Sequence, residues 1–244
     1  MLRSSDELRR MTIHATDGEL GHVDEFYFDD DTWTIRYLVV RTGSWLSGRL
    51  VLLTPTVITG TDWTAHRLSV SLTMDQVRNS PDVGTDRPVS RLQELEYLQY
   101  YDQPPYWMLG AEVGGSAIAI DAAMRAAAAE AEAAGSEPPT HLRSSREVRG
   151  YHIEAIDGPI GHLHHYLIDD DTWRVRFLVV DTSTWWFGKD VVISPDWVSR
   201  VSWGGRCLNV DQAREAIKSS PAFDPHVPMT KAYADSLDAH FRKA

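Results

Sequence analysis

The stretch Asp29-Asp30-Asp31-Thr32-Trp33 decides the fold, because it returns unaltered as Asp169-Asp170-Asp171-Thr172-Trp173, 140 residues further on. Working outward, the same offset places Gly18, Gly21 and His22 on Gly158, Gly161 and His162. On the other side it places Arg36, Leu38-Val39-Val40, Trp45, Gly48, Pro55 and Trp63 on Arg176, Leu178-Val179-Val180, Trp185, Gly188, Pro195 and Trp203. An ungapped match of this length is a tandem duplication. Its period far exceeds the roughly 20–50 residues of a solenoid, so the chain reads as two similar domains and not as an array.

The residues flanking each quintet predict strands. Ile35, Tyr37 and Val39 alternate with Arg36, Leu38 and Val40, and Val175, Phe177 and Val179 repeat the pattern; a period of two marks a strand with one buried face. Val23 to Phe28 supplies the preceding strand, which puts the Asp triplet at a hairpin tip. Asp17-Gly18 and Asp157-Gly158 are hairpin signals, and Gly21 and Gly161 are expected at a bulge or a close backbone approach. Further strands are expected at Leu50–Leu53 and Val191–Ile193, each closed by a proline. Shorter ones are expected at Thr56–Thr59, Leu68–Val70, Trp197–Val201 and Leu208–Val210. Helices are expected over Thr73–Asn79 and Asp211–Lys218, stopping at Ser80-Pro81 and Ser220-Pro221. A second helix in each copy starts from the N-cap Ser90 or Thr230. The Arg-Ser-Ser segments at Arg3 and Arg143 read as lead-ins to the first strand. The predicted fold class is mainly β with α appendages: two small antiparallel β-barrels in tandem, each closing round its own apolar core and followed by short helices. The predicted units are 1–110 and 141–244, joined by an alanine-rich helical linker at 111–140.

Charge and composition narrow the function. A net charge of −11 and a pI near 5.3 speak against binding nucleic acid or docking on an anionic lipid surface. The single cysteine, Cys207, suits a reducing compartment. Met1-Leu2-Arg3-Ser4-Ser5-Asp6 has no apolar core like that of a signal peptide, and no apolar run approaches the ~18 residues of a membrane span. A cytoplasmic protein with no integral membrane segment is therefore expected.

Four groups of residues carry possible chemistry. Asp29, Asp30 and Asp31, with Asp169, Asp170 and Asp171, offer oxygen ligands to a hard cation, but their spacing lacks the alternation of a calcium loop and fits turn formation better. His162 and His164, two apart on a strand, are expected to share a face and could join at a transition metal, as could His22 and Asp24. Trp45 with Arg49, and Trp185, Trp186 and Phe187 with Lys189, form loops that either cover a barrel end or anchor a partner. Tyr97, Tyr100, Tyr101, Tyr106 and Trp107 are too many aromatics for a solvated tail and pack on a barrel, the other copy or a second subunit. Gly114-Gly115 and Gly204-Gly205 fit neither phosphate-binding fingerprint. With no readable nucleophile and base, no enzymatic activity and no cofactor are expected.

These residues together resemble the PRC-barrel family. The motif runs Asp17-Gly18, Gly21-His22, Tyr37-Leu38-Val39-Val40, Trp45, Gly48-Arg49 and Pro55, and recurs in the second copy. Ser80-Pro81, Asp86-Arg87-Pro88-Val89-Ser90-Arg91 and the segment Tyr100 to Trp107 look like the tail of bacterial stand-alone members. The resemblance implies a small barrel serving as an interaction or assembly module, as on the cytoplasmic face of the photosynthetic reaction centre (the H subunit) and in a ribosome maturation factor. The expected partner is another protein, or a second copy of the chain. A reaction-centre-like accessory in electron transfer, peripherally associated with the membrane face, and a metal-binding protein are the alternatives.

Overall fold

The computed structural model describes residues 1–81, 91–108, 142–183, 190–202, 204–225 and 229–241, with positions 89, 122, 126 and 227. The expected linker at 111–140 lies outside the described residues but for two positions, and Trp185, Trp186, Phe187 and Lys189 lie wholly outside them.

In the first half, β1 (Leu2–Ser4) and α1 (Ser5–Arg9) precede β2 (Thr12–His14), β3 (Glu19–Asp29), β4 (Ile35–Thr42) and β5 (Leu50–Leu53). Then come β6 (Ile58–Asp62), β7 (Arg67–Val70), α2 (Met74–Arg78) and α3 (Arg91–Tyr100). The second half repeats the order: β8 (Leu142–Ser144), α4 (Ser145–Val148), β9 (His152–Ala155), β10 (Gly158–Asp169), β11 (Arg174–Asp181) and β12 (Asp190–Ile193). It finishes with β13 (Val198–Ser202), β14 (Cys207–Val210), α5 (Arg214–Lys218) and α6 (Lys231–Phe241).

The repeated glycines fix the curvature. Gly21 has φ +146° and faces β4 so closely that a Cβ there would lie 2.0 Å from the Arg41 carbonyl oxygen; Gly161, at +147°, stands in the same relation to Asp181. Both sit at register shifts between β2 and β3 and between β9 and β10, where an extra residue bends the strand. At the hairpin tips the first Asp of each triplet makes the turn. Asp29 Oδ1 accepts from the N–H groups of Asp31 and Thr32 at 3.0 Å each, and Asp169 Oδ1 does the same at 3.1 and 2.9 Å. Thr73 and Gln76 form a reciprocal capping box that starts α2 one residue inside the expected range. Pro55 and Pro195 open single 3₁₀ turns, Pro55–Val57 and Pro195–Trp197, where strands were expected to begin, because proline fixes the φ of a first helical position.

The strands form two seven-stranded sheets, in the orders β5-β4-β3-β2-β7-β6 and β12-β11-β10-β9-β14-β13. All neighbours are antiparallel except β2 with β7 and β9 with β14. The seventh strand of each sheet comes from the other half. β1 pairs with β10, Leu2 opposite Asp169 and Ser4 opposite Leu167; β8 pairs with β3, Leu142 opposite Asp29 and Ser144 opposite Tyr27. The Arg-Ser-Ser lead-ins are thus exchanged arms.

This exchange corrects one expectation. The fold class is mainly β with short helices, yet each ladder stays open between its end strands and the core is shared. One continuous cluster takes Leu8, Met11, Phe26 and Phe28 from the first half and Val148, Tyr151, Tyr166 and Ile168 from the second. At its centre the Phe26 and Tyr166 rings, equivalent in the repeat, meet edge to face at 5.3 Å. Beside them Ile35 N–H donates to the Trp173 carbonyl at 2.7 Å and Val175 N–H to that of Trp33 at 2.8 Å. Burying Leu2 and Leu8 of one arm is worth about 2 kcal/mol each, so an arm that found no partner sheet would leave the core incomplete.

Candidate functional site

The aromatic candidates of the first half gather round α2. Trp45 is half-buried in the 3₁₀ turn Ser44–Leu46, where its Nε1–H donates to the Leu20 carbonyl at 2.8 Å. The Arg78 guanidinium lies 5.7 Å from its ring. Arg49 donates to the carbonyls of Arg78 and Ser80 at 3.0 and 2.7 Å. Tyr100 donates to the Gln76 carbonyl at 2.8 Å and meets the Tyr101 ring edge to face. The β4–β5 loop is therefore held to β3 and to the end of α2. Trp107 stands apart, packed on Tyr106 at 4.8 Å.

The acidic triplets divide their work. Burial would raise the Asp29 carboxyl, but N–H donors from Thr32 and Asp31 and the Arg36 guanidinium at 3.1 Å hold it below the usual carboxylate range. Asp169 is likewise lowered against its burial, by Thr172 above all. The middle acids hold the exchanged arms: Asp30 pairs with Arg143 at 2.7 Å and Asp170 with Arg3 at 3.2 Å. Asp171 is 86 % exposed, and Asp31 is also exposed.

The histidines do not share a face as expected. A bulge between Leu163 and His165 makes His164 the extra residue and sets its ring on His165 at 3.9 Å, within 2.9 Å of Asp190. His162 instead packs on His152 at 4.4 Å. His22 is exposed, while Asp24 pairs with Arg146 and Arg41 at 2.6 and 3.3 Å. Among the described residues no group of three or more His, Cys, Asp or Glu is placed to hold a metal ion.

The sequence reading missed a groove at the seam of the halves. One wall is β6, an end strand of its sheet, whose residues from Thr59 to Asp62 are exposed. The floor holds Arg36, Thr56 and Tyr106, and the far wall is the opposite hairpin tip, Asp170 to Trp173; the space measures about 590 Å³. Tyr106 donates to Glu94 at 3.0 Å, and the Arg36 guanidinium lies 3.9 Å over the Tyr106 ring. Thr56 donates to Gln103 at 2.9 Å. Trp33 stacks on Phe28 at 5.1 Å and is 4 % exposed. Trp173 has Ile168 in the place of that ring and remains half-exposed on the groove wall. The signal available in sequence was this Phe28/Ile168 difference between otherwise matching hairpins.

Among the described residues no helix is long and apolar enough to cross a membrane. No curated protein matches the chain. The exchanged first strand, the Asp-Gly hairpin, the long β3–β4 hairpin and β5–β6 are the segment that a family model covers: residues 2–65 match the PRC-barrel domain, so the first half of this chain carries one.

Proposed function

We propose that the protein is a non-catalytic assembly module with two PRC-barrel units, and that the seam groove takes an extended segment of another protein as a further strand on β6. The observation that carries this reading is the open edge of β6 facing Trp173 across the groove. An edge strand presents unpaired N–H and C=O groups that a partner strand can complete, while pockets beside it select side chains. Trp173 and Ile58 offer apolar contact to the incoming segment. Commitment of the polar groups also supports binding over catalysis: Arg36 is engaged by Asp29 and Tyr106, and Thr56 by Gln103.

The test is affinity capture from the source cells, followed by titration of the captured protein. Thr59→Arg/Thr61→Arg fills the groove from exposed positions without touching the core, and Ile156→Glu, at a side chain 72 % exposed elsewhere, is the control. The double variant should bind at least about tenfold more weakly, as expected for an interface hot spot, and the control should bind as the wild type. Equal affinity of all three proteins contradicts the reading.

A further inference from the structure

The two exchanged arms are nearly identical except for one charge. α1 carries Asp6 where α4 carries Arg146, and the surfaces they meet differ in the complementary sense. Arg146 lies 2.6 Å from Asp24 and 3.9 Å from Glu25, which is 5 % exposed. Asp6 lies 3.3 Å from His165 and 3.5 Å from Arg149. One contact is common to both arms: Ser145 Oγ accepts from Phe26 N–H at 3.1 Å, and Ser5 Oγ accepts from Tyr166 N–H at 3.3 Å. Glu25 also accepts from Ser144 Oγ and, at 3.4 Å, from Arg146 N–H of the second arm.

Chain length does not choose between own sheet and opposite sheet. Docked on its own β3, β1 would end at Tyr27, five residues from His22, where β2 begins to pair; that is roughly 17 Å along a strand. The segment from Ser4 to Thr12 can reach about 27 Å. On its own sheet, however, Asp6 would sit against Asp24 and Glu25, and Arg146 would exchange both of those carboxylates for His165. The self-docked first arm meets like charge, and the self-docked second arm loses both of its counter-charges.

We propose that Asp6 and Arg146 form a pairing code that assigns each arm to the opposite half, each docking surface accepting only the arm of complementary charge. The code also limits what a second copy of the chain can do. Any exchange between two chains joins a first half to a second half, never like to like. This inference does not depend on the groove.

Thiol pairs in the full chain, with Cys207→Ser, report where the first arm sits. Leu2→Cys with Asp169→Cys closes a disulfide when the arm is exchanged, and Leu2→Cys with Asp29→Cys closes one when it is self-docked, since opposed antiparallel residues lie within disulfide reach. Both placements remove an equivalent turn-capping Asp. In the otherwise unaltered chain the 2/169 pair should oxidise and the 2/29 pair should not. In the Asp6→Arg/Arg146→Asp chain the preference should invert, the 2/29 pair closing at least about tenfold faster than before. Unchanged preference overturns the proposal. A second measurement stands if that chain folds poorly. Asp6→Arg alone should lower the folding equilibrium constant about tenfold, and adding His165→Glu should restore it; failure of the second substitution to restore it also overturns the proposal.

Discussion

The helices α3 and α6 cover equivalent faces of the two sheets with different chemistry. Tyr97 of α3 packs with Tyr27, Tyr37 and Leu52, and with Leu142 from the exchanged arm. In the second half the corresponding places are Leu237 of α6 with Leu167, Phe177 and Val192, and Leu2 from the other arm. The tyrosine cluster is closed by polar partners: Tyr37 donates to buried Glu94 at 3.3 Å, and Tyr97 donates to the Leu52 carbonyl. At the place of Glu94 the second half has Ala234, and its cluster is completed by Phe177 and Phe241, 5.5 Å apart. The same backbone therefore tolerates a hydrogen-bonded lining or an apolar one. What both halves share is backbone geometry at the glycines and apolar burial of the arm.

The comparison breaks hardest at a shared feature. Gly161→Ala forces a Cβ to 2.0 Å from the Asp181 carbonyl oxygen at a φ that disfavours any side chain. It should cost about 4 kcal/mol, and Gly21→Ala should cost the same in chemical denaturation. A stepwise difference between the two would mean that the halves are not held alike. Next in size, Leu237→Ala empties a fully buried place under α6 and should cost about 3 kcal/mol. Smaller again, Tyr37→Phe should cost about 1 kcal/mol by removing one hydrogen bond. Its mirror, Phe177→Tyr, should cost at least as much, because the new hydroxyl meets no carboxylate where Ala234 stands. A neutral Phe177→Tyr would show that the apolar lining is not committed.

The smallest effect separates the arm seams. Burial pushes the His165 imidazole below the usual histidine range; Asp6 opposes this, while His164 and Arg149 add to it, and Asp190 also opposes it. The folded protein thus resists protonation there, so the unfolded chain takes up the proton first as pH falls below about 6.5, and stability declines. Asp24 behaves in the opposite sense. Burial would raise it, but Arg146 and Arg41 hold it below the usual range. Its contribution is complete above about pH 4 and is lost as pH falls through the lowered value. His165→Gln should therefore flatten the stability profile just below about pH 6.5 while leaving the loss below about pH 4 intact. A profile unchanged by the substitution contradicts the assignment.

Much of this architecture was legible in the chain. The 140-residue offset gave the duplication, period-two alternation gave β3, β4, β10 and β11, and the glycines at 21 and 161 marked the bulges because no other residue fits so close to a neighbouring carbonyl. The exchange was not legible. Arg3-Ser4-Ser5 and Arg143-Ser144-Ser145 carry the same local signal, and a strand's alternation does not say which of two equivalent edges it completes. The bulge at His164 escaped for the same reason: without its neighbours' register, 162 and 164 count as one face. The groove was missed because Thr59, Gly60 and Thr61 read only as a short polar strand, and because the exposure of Trp173 depends on an aromatic ring absent five residues earlier.

The central claim is that exchanged arms make the two halves one cooperative body. Differential scanning calorimetry of the full chain at neutral pH tests it most directly. The account predicts a single transition whose calorimetric and van't Hoff enthalpies agree. Two separate transitions, or a van't Hoff enthalpy near half the calorimetric value, would show that each half melts on its own and would contradict it.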